Sequence, residues 1–222
     1  MKNVKLIIFD LDGTLIDAYR AINKSFNFTM RRLGYPARSS AQIRRAVGWG
    51  DESLLAPFVR KPDLKKALAL YRSHHLKSII RYSRLFPRVE ALLAKLKSKG
   101  YKLAVASNRP TKFSLVLIRS LGLAKYFDFV LCADKLKKGK PHPEILQAIM
   151  RKFSVTPRQA LYVGDMVIDA QAGRAAGIKT VIVTTGSSDI KDIRRQKPYR
   201  IISKISALFK VEKRGQNYFF IG

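Results

Sequence analysis

From residue 85 onward, short apolar runs alternate with segments of helical period, and this alternation limits the fold more than any other feature. The runs are KLAVAS (102–107), FDFVLCA (127–133), QALYVGD (159–165), KTVIVTT (179–185) and the weaker YRIIS (199–203). Between the first four lie RVEALLAKLKSKG (88–100, ahead of the first), TKFSLVLIRSLG (111–122), PEILQAIMRKF (143–153) and VIDAQAGRAAG (167–177), with Gly100 and Gly122 as helix stops. Strands separated by helices predict a parallel sheet with crossover helices on its faces. VKLIIFD (4–10) reads as one more buried strand, far ahead of the others. The intervening block carries no strand pattern. It reads as helices over YRAINKSFNFTMRRLGY (19–35), SSAQIRRAVG (39–48) and PDLKKALALYRSHHLKSIIRYS (62–83), with a glycine-flanked Trp49 opening WGDESLLAPFV. The expected fold is α/β: a doubly wound, Rossmann-like parallel sheet formed by 1–17 and 85–222, with an inserted α-helical cap at 18–84. KISALF (204–209) reads as a short last helix. The basic, then aromatic VEKRGQNYFFIG (211–222) fits either a last strand or a docking tail.

A chain of 222 residues can bury a core without staples, and its single cysteine, Cys132, rules out an internal disulfide. Cys132 lies in an apolar run and reads as a buried hydrophobe. The apolar run near the N-terminus is too short for a signal-peptide core, and no stretch approaches the ~18 residues of a membrane span. A cytoplasmic protein is expected. The 44 basic residues exceed the 15 acidic ones by 29. Such a charge favours polyanionic partners, namely phosphorylated substrates, nucleic acid or an anionic surface, although lysines spread over helix faces are also simply solvated. The cap alone carries 15 basic residues against 3 acidic ones, and 188–222 carries nine basic residues.

In open α/β sheets, sites form beyond the carboxyl ends of the strands. Four of the 15 acids fall there: Asp10 and Asp12 after the first strand, Asp165 and Asp169 after the QALYVGD run. Asp10 and Asp12 are two apart in extended chain and can face the same way. Asp165 and Asp169 are one helical turn apart. Four carboxylates in one crevice repel unless a cation joins them, and all-oxygen ligands favour Mg²⁺. Ser107 with Asn108, and Lys140 ahead of a proline-started helix, complement an anion. Together they describe a phosphoryl-transfer site.

DLDGTL, ASN, GKPHPE and GDMVID, in that order, resemble the four motifs of the haloacid dehalogenase-like phosphatase superfamily, over roughly 4–16 and 85–205. The helical insert resembles that superfamily's small cap, and RRAVGWGDESLL is similar to the cap segment of phosphoglycolate phosphatase-like members. The resemblance implies that Asp10 is the nucleophile, forming an aspartyl phosphate, and that Asp12 is the general acid and then base. It implies Mg²⁺ held by Asp10, the Asp12 carbonyl and Asp165, with Asp169 ligating or orienting its waters. Gly13 and Thr14 form the turn after the nucleophile, and with Ser107, Asn108 and Lys140 they make up the implied phosphate-binding set. Arg45, Trp49 and Arg109 are candidate substrate contacts. His142 reads as a loop or helix-cap residue, and His74 and His75 as mid-helix residues without a metal partner. The implied activity is hydrolysis of a small phosphate monoester of the phosphoglycolate type. A β-phosphoglucomutase-type mutase, a nucleotidase, a pyrophosphatase and, in another class, a polyanion-binding protein remain open.

Overall fold

The computed structural model describes residues 3–208 and, beyond them, the backbone of two short strands. The core is a six-stranded sheet of β1 (Leu6–Phe9), β4 (Lys102–Ser107), β5 (Phe129–Cys132), β6 (Ala160–Gly164), β7 (Lys179–Val183) and β8 (Arg200–Ile202). Its order is β5-β4-β1-β6-β7-β8 and every pairing is parallel. The chain runs outward from β1 to β4 and β5, then returns to β6 on the other side of β1. β1 therefore ends at the point where the strand order reverses, the place where such sheets bind ligands.

The sheet is buried on both faces, which explains why its strands are nearly continuous in apolar residues. Ile7, Phe9, Leu103, Val105, Leu161 and Val163 pack on one side, against α5 (Val89–Ser98) and α6 (Thr111–Ser120). Leu6, Ile8, Ala104, Ala106 and Tyr162 pack on the other, against α7 (Glu144–Lys152) and α8 (Val167–Ala175). The period of two carries this side of β1 on to Asp10.

The helical block comprises α1 (Tyr19–Arg32), α2 (Ser40–Ala46), α3 (Asp51–Leu55) and α4 (Leu64–Tyr82). α1 and α4 form its spine, burying Ile22, Phe26 and Met30 against Ala67, Tyr71 and Ile79. Ser39 caps α2 in a reciprocal pair with Gln42. The chain enters this block through β2 (Ile16–Asp17) and leaves it through β3 (Arg84–Leu85), and these two short strands pair antiparallel. β3 falls where the sequence shows no strand pattern; two residues are too few for a period. A further helix, α9 (Ile190–Arg195), also goes unannounced, although Asp189 caps it at the Lys191 N–H. Within the described part of the KISALF segment, Ile205–Ala207 form a 3₁₀ turn. The tail reading at 211–222 lies outside the described residues, apart from the backbone pairing of β9 (Val211–Arg214) with β10 (Asn217–Phe220). Cys132 is buried, and burial raises its thiol pKa. Among the described residues, no helix is long and apolar enough to cross a membrane.

Candidate active site

Asp10 lies one residue beyond β1, with its N–H donating to the Val163 carbonyl at 2.9 Å. The chain then folds into a compact loop in which the Leu11 carbonyl accepts from the N–H groups of Leu15 and Ile16. Gly13 has a φ of +83°, and a Cβ there would collide with the Asp165 carboxylate. Only glycine serves both needs. Asp10, Asp12, Ser107, Asn108, Arg109 and Lys140 line one cavity of about 60 Å³, closed from the helical block by Gly48, Asp51 and Tyr71 among others.

On the sheet side, Lys140 is the hub. Its Nζ stands 2.8 Å from Asp10 Oδ1 and 2.8 Å from Asp169 Oδ1, with the Tyr162 hydroxyl at 3.1 Å and the Ala106 carbonyl at 3.2 Å. Tyr162 donates to Asp169 Oδ1 at 2.6 Å. Asp169 Oδ2 accepts from the N–H groups of Asp165 and Met166, so both its oxygens are occupied and the start of α8 is fixed. Burial raises the Asp10 carboxyl to about 6 against the opposing pull of Lys140. Burial would lower Lys140, but Asp10 and Asp169 outweigh it and hold the ammonium well above its usual value. Burial also acts to raise Asp169, yet Lys140 and Tyr162 hold it below the usual carboxylate range. Asp165 moves the other way: burial, then Asp169 and Asp10, raise it well above that range.

Asp165 Oδ1 accepts from the Thr14 hydroxyl at 2.8 Å, while Oδ2 is buried with no hydrogen-bond partner. A Cβ on Gly186, like one on Gly13, would collide with that free oxygen. Asp10, Asp165 and Asp169 offer oxygens that all lie within 4.8 Å of one another. An orphaned buried carboxylate oxygen, an all-oxygen donor set and raised carboxyl pKa values fit a hard divalent cation.

Asp12 is held differently. Its two oxygens accept a bidentate fork from Arg109, Nε to Oδ2 at 2.8 Å and Nη2 to Oδ1 at 2.7 Å. The third guanidinium nitrogen, Nη1, lies 2.7 Å from His75 Nε2 on α4. Arginine has no acceptor, so His75 Nε2 must accept and its proton must sit on Nδ1, which faces Ser25 Oγ at 3.1 Å. Burial lowers the pKa of His75 well below its usual value, and Arg109 and His74 add to this. His75 also stacks on Tyr71, with 4.8 Å between ring centroids.

The structure thus brings Asp10, Asp12, Ser107, Lys140, Asp165 and Asp169 together, as the sequence suggests. Four expectations change. The Thr14 hydroxyl orients Asp165 instead of facing an anion. The Asn108 side chain is used as a strap: it donates to the carbonyls of Gly48 and Lys140, and accepts from the Lys140 N–H. Arg45 and Trp49 are absent from the cavity lining; they line a neighbouring cleft with Val167, Ser188 and Asp192, and Trp49 is 51% exposed. The neighbouring Arg44 is the residue that reaches the core, donating to the carbonyls of Thr185 and Gly186 at 2.8 Å each, because one step along α2 rotates a side chain by about 100°. His142 accepts at Nδ1 from the Glu144 N–H at the start of α7, as a cap residue would. Tyr162 and His75 escape a reading by motif. The signals available were the strand period that aims Tyr162 to the Asp10 side, and the buried α4 stripe Ala67, Tyr71, His75, Ser78, Ile79.

The model of the haloacid dehalogenase-like hydrolase family matches residues 7–183. A phosphoglycolate phosphatase from Nitrosococcus oceani is 32% identical over 213 residues, covering 92% of this chain and 95% of that protein. One from Vibrio cholerae is 32% identical over 221 residues, covering 95% of this chain and 98% of its own. A crystal structure described as a predicted phosphoglycolate phosphatase from Haemophilus somnus superposes with a TM-score of 0.88 at 29% identity, covering 93% of this chain and 96% of that one. The chain belongs to the haloacid dehalogenase-like hydrolase family.

Proposed function

We propose that this protein is a phosphatase for a small phosphate monoester, phosphoglycolate foremost, acting through an aspartyl phosphate on Asp10. The observation that carries the reading is the pairing of Asp10, 2.8 Å from Lys140, with Asp12 on the same cavity wall. The names of the relatives support phosphoglycolate as the substrate.

With its pKa near 6, Asp10 is mostly ionised at neutral pH and can attack phosphorus. The new Asp10–phosphorus bond forms as the ester oxygen–phosphorus bond breaks, and Asp12 gives the leaving oxygen its proton. Asp12 then takes a proton from the water that attacks the phosphoryl group, which restores Asp10 and releases phosphate. Lys140 and the Ser107 hydroxyl bind phosphoryl oxygens, and Lys140 keeps Asp10 usable beside Asp169. Asp10, Asp165 and the Asp12 carbonyl would hold Mg²⁺. Asp169, with both oxygens already accepting, orients the site from behind. When bound, Mg²⁺ would neutralise the crowded carboxylates and polarise the phosphoryl group. The helical block excludes bulk water when closed.

Phosphate release is measured on a panel of phosphoglycolate, sugar phosphates, nucleoside monophosphates and pyrophosphate, with and without Mg²⁺. Release that needs Mg²⁺ and vanishes in Asp10→Asn is expected. A sugar phosphate isomerised without net release would replace the phosphatase with a mutase.

A further inference from the structure

We infer that the Arg109 fork is a seat for a carboxylate of the substrate, and that Asp12 occupies this seat until substrate arrives. The inference rests on the phosphatase reading for the role of Asp12, but the seat itself is read from geometry. Two cationic side chains line the cavity, Lys140 and Arg109. Lys140 sits beside Asp10 on the phosphoryl side, held by Asp169, Tyr162 and Ala106. Arg109, with its side chain only 8% exposed, therefore remains for a second anionic group.

Its Nε–Nη2 edge already displays the geometry of a bound carboxylate, two parallel bonds of 2.8 and 2.7 Å, and Asp12 supplies that carboxylate. A guanidinium edge takes carboxylate and phosphate alike, and here it is the carboxylate fit that Asp12 demonstrates. His75 secures the remaining nitrogen from the helical block, so the guanidinium plane is set without using the edge that faces the ligand. Arg109 and Asp10 line the same small cavity, so the carboxylate and the phosphate belong to one small molecule.

The arrangement also forms a switch. While both Asp12 oxygens accept from Arg109, the carboxylate is held against the fork as an acceptor. A substrate carboxylate that takes the fork frees Asp12 to take up a proton from solvent and pass it to the leaving oxygen. An ester without a carboxylate loses twice: it makes no ion pair, and it leaves Asp12 engaged.

The test compares phosphoglycolate with ethyl phosphate, which has a methyl group where phosphoglycolate has its carboxylate. For the wild type, kcat/KM should favour phosphoglycolate by at least about 100-fold, less than the roughly 10⁴–10⁵ of a site whose polar groups are left unpaired, because Asp12 still pairs with Arg109 when ethyl phosphate binds. Arg109→Met should collapse that ratio to within about threefold, with a large rise in KM for phosphoglycolate. A wild-type ratio near one would overturn the inference. So would an Arg109→Met protein in which both esters slow by the same factor, since Arg109 would then only hold Asp12. Calorimetric binding of both esters to Asp10→Asn reads the same seat without turnover. Phosphoglycolate binding at least tenfold tighter supports the seat even if no ester is hydrolysed, a result that would sink the phosphatase reading alone. Equal binding removes the seat whatever the activity.

Discussion

Asp10 and Asp12 stand two residues apart, yet they belong to different parts of the molecule. The Asp10 partners come from the α/β core alone: Lys140 ahead of α7, Asp165 after β6, Asp169 in α8 and Tyr162 within β6. Asp12 depends on Arg109, and Arg109 depends on the helical block, where His75 takes one nitrogen and Ser25 fixes His75. Half of the site is thus built from the core, and the other half also draws on residues of the helical block. The proposed chemistry falls to the first half and the proposed carboxylate seat to the second.

The strongest attempt to break this comparison is Asp10→Asn. If Asp10 is the nucleophile, phosphate release should fall by at least about 10⁴-fold, as when a covalent catalyst is removed. The melting temperature should hold or rise, because one of three crowded buried carboxylates is gone. Lys140→Met comes next. Removing the ammonium leaves Asp10, Asp165 and Asp169 buried without a countercharge, and losing one partner of a buried pair costs about 3–5 kcal/mol. Denaturant melts of Lys140→Met and Arg109→Met decide whether the two halves differ. Equal destabilisation would mean that the Asp12 half is as integral to the core as the Asp10 half.

Much of the Asp10 half was legible in the sequence, and little of the Asp12 half. The core strands announce themselves by local patterning, and three of them carry a site residue at or just beyond their ends, so Asp10, Ser107 and Asp165 follow once the strands are found. Lys140 follows from its motif. The Asp12–Arg109 pair spans 97 positions and the Arg109–His75 contact 34, and no local period encodes either. His75 looks like one basic residue among many on α4 until burial shows that it faces inward. Arg44 and Arg45 cannot be ranked without the rotation of α2 against the core. The helix Ile190–Arg195 is too short to display a helical period.

A smaller effect sharpens the contrast through pH. His75 is buried, and it is packed against Arg109, His74, Tyr71 and Phe113. Its folded pKa lies well below the ordinary 6.5, chiefly because burial disfavours the imidazolium. The unfolded chain takes up a proton near pH 6.5 while the folded chain does not. Stability linked to His75 is therefore present above about pH 6.5 and is lost as pH falls below it towards the folded pKa. His75→Gln can still accept from Arg109 but does not titrate. Its stability should change less than that of the wild type between pH 7 and pH 5. Parallel pH profiles for the two proteins would remove His75 from this account.

The smallest effects distinguish two adjacent arginines and a tryptophan. Arg44 donates to two core carbonyls and lies over the Tyr19 ring with its guanidinium carbon 4.0 Å from the centroid, so it ties α2 to the 185–186 loop. Arg44→Ala should cost about 1 kcal/mol, the net worth of such hydrogen bonds. Because it loosens the closed block, it should also raise KM for phosphoglycolate by a few-fold. Arg45→Ala and Trp49→Ala alter an exposed cleft beside the site, and surface changes of that kind stay within about 0.5 kcal/mol. Their kcat/KM should remain within about twofold of wild type. A tenfold loss in Trp49→Ala would show that substrate is selected on the outer cleft as well. The helical block would then act through its 48–50 loop, and not only through the face of α4 that presents Tyr71 and His75.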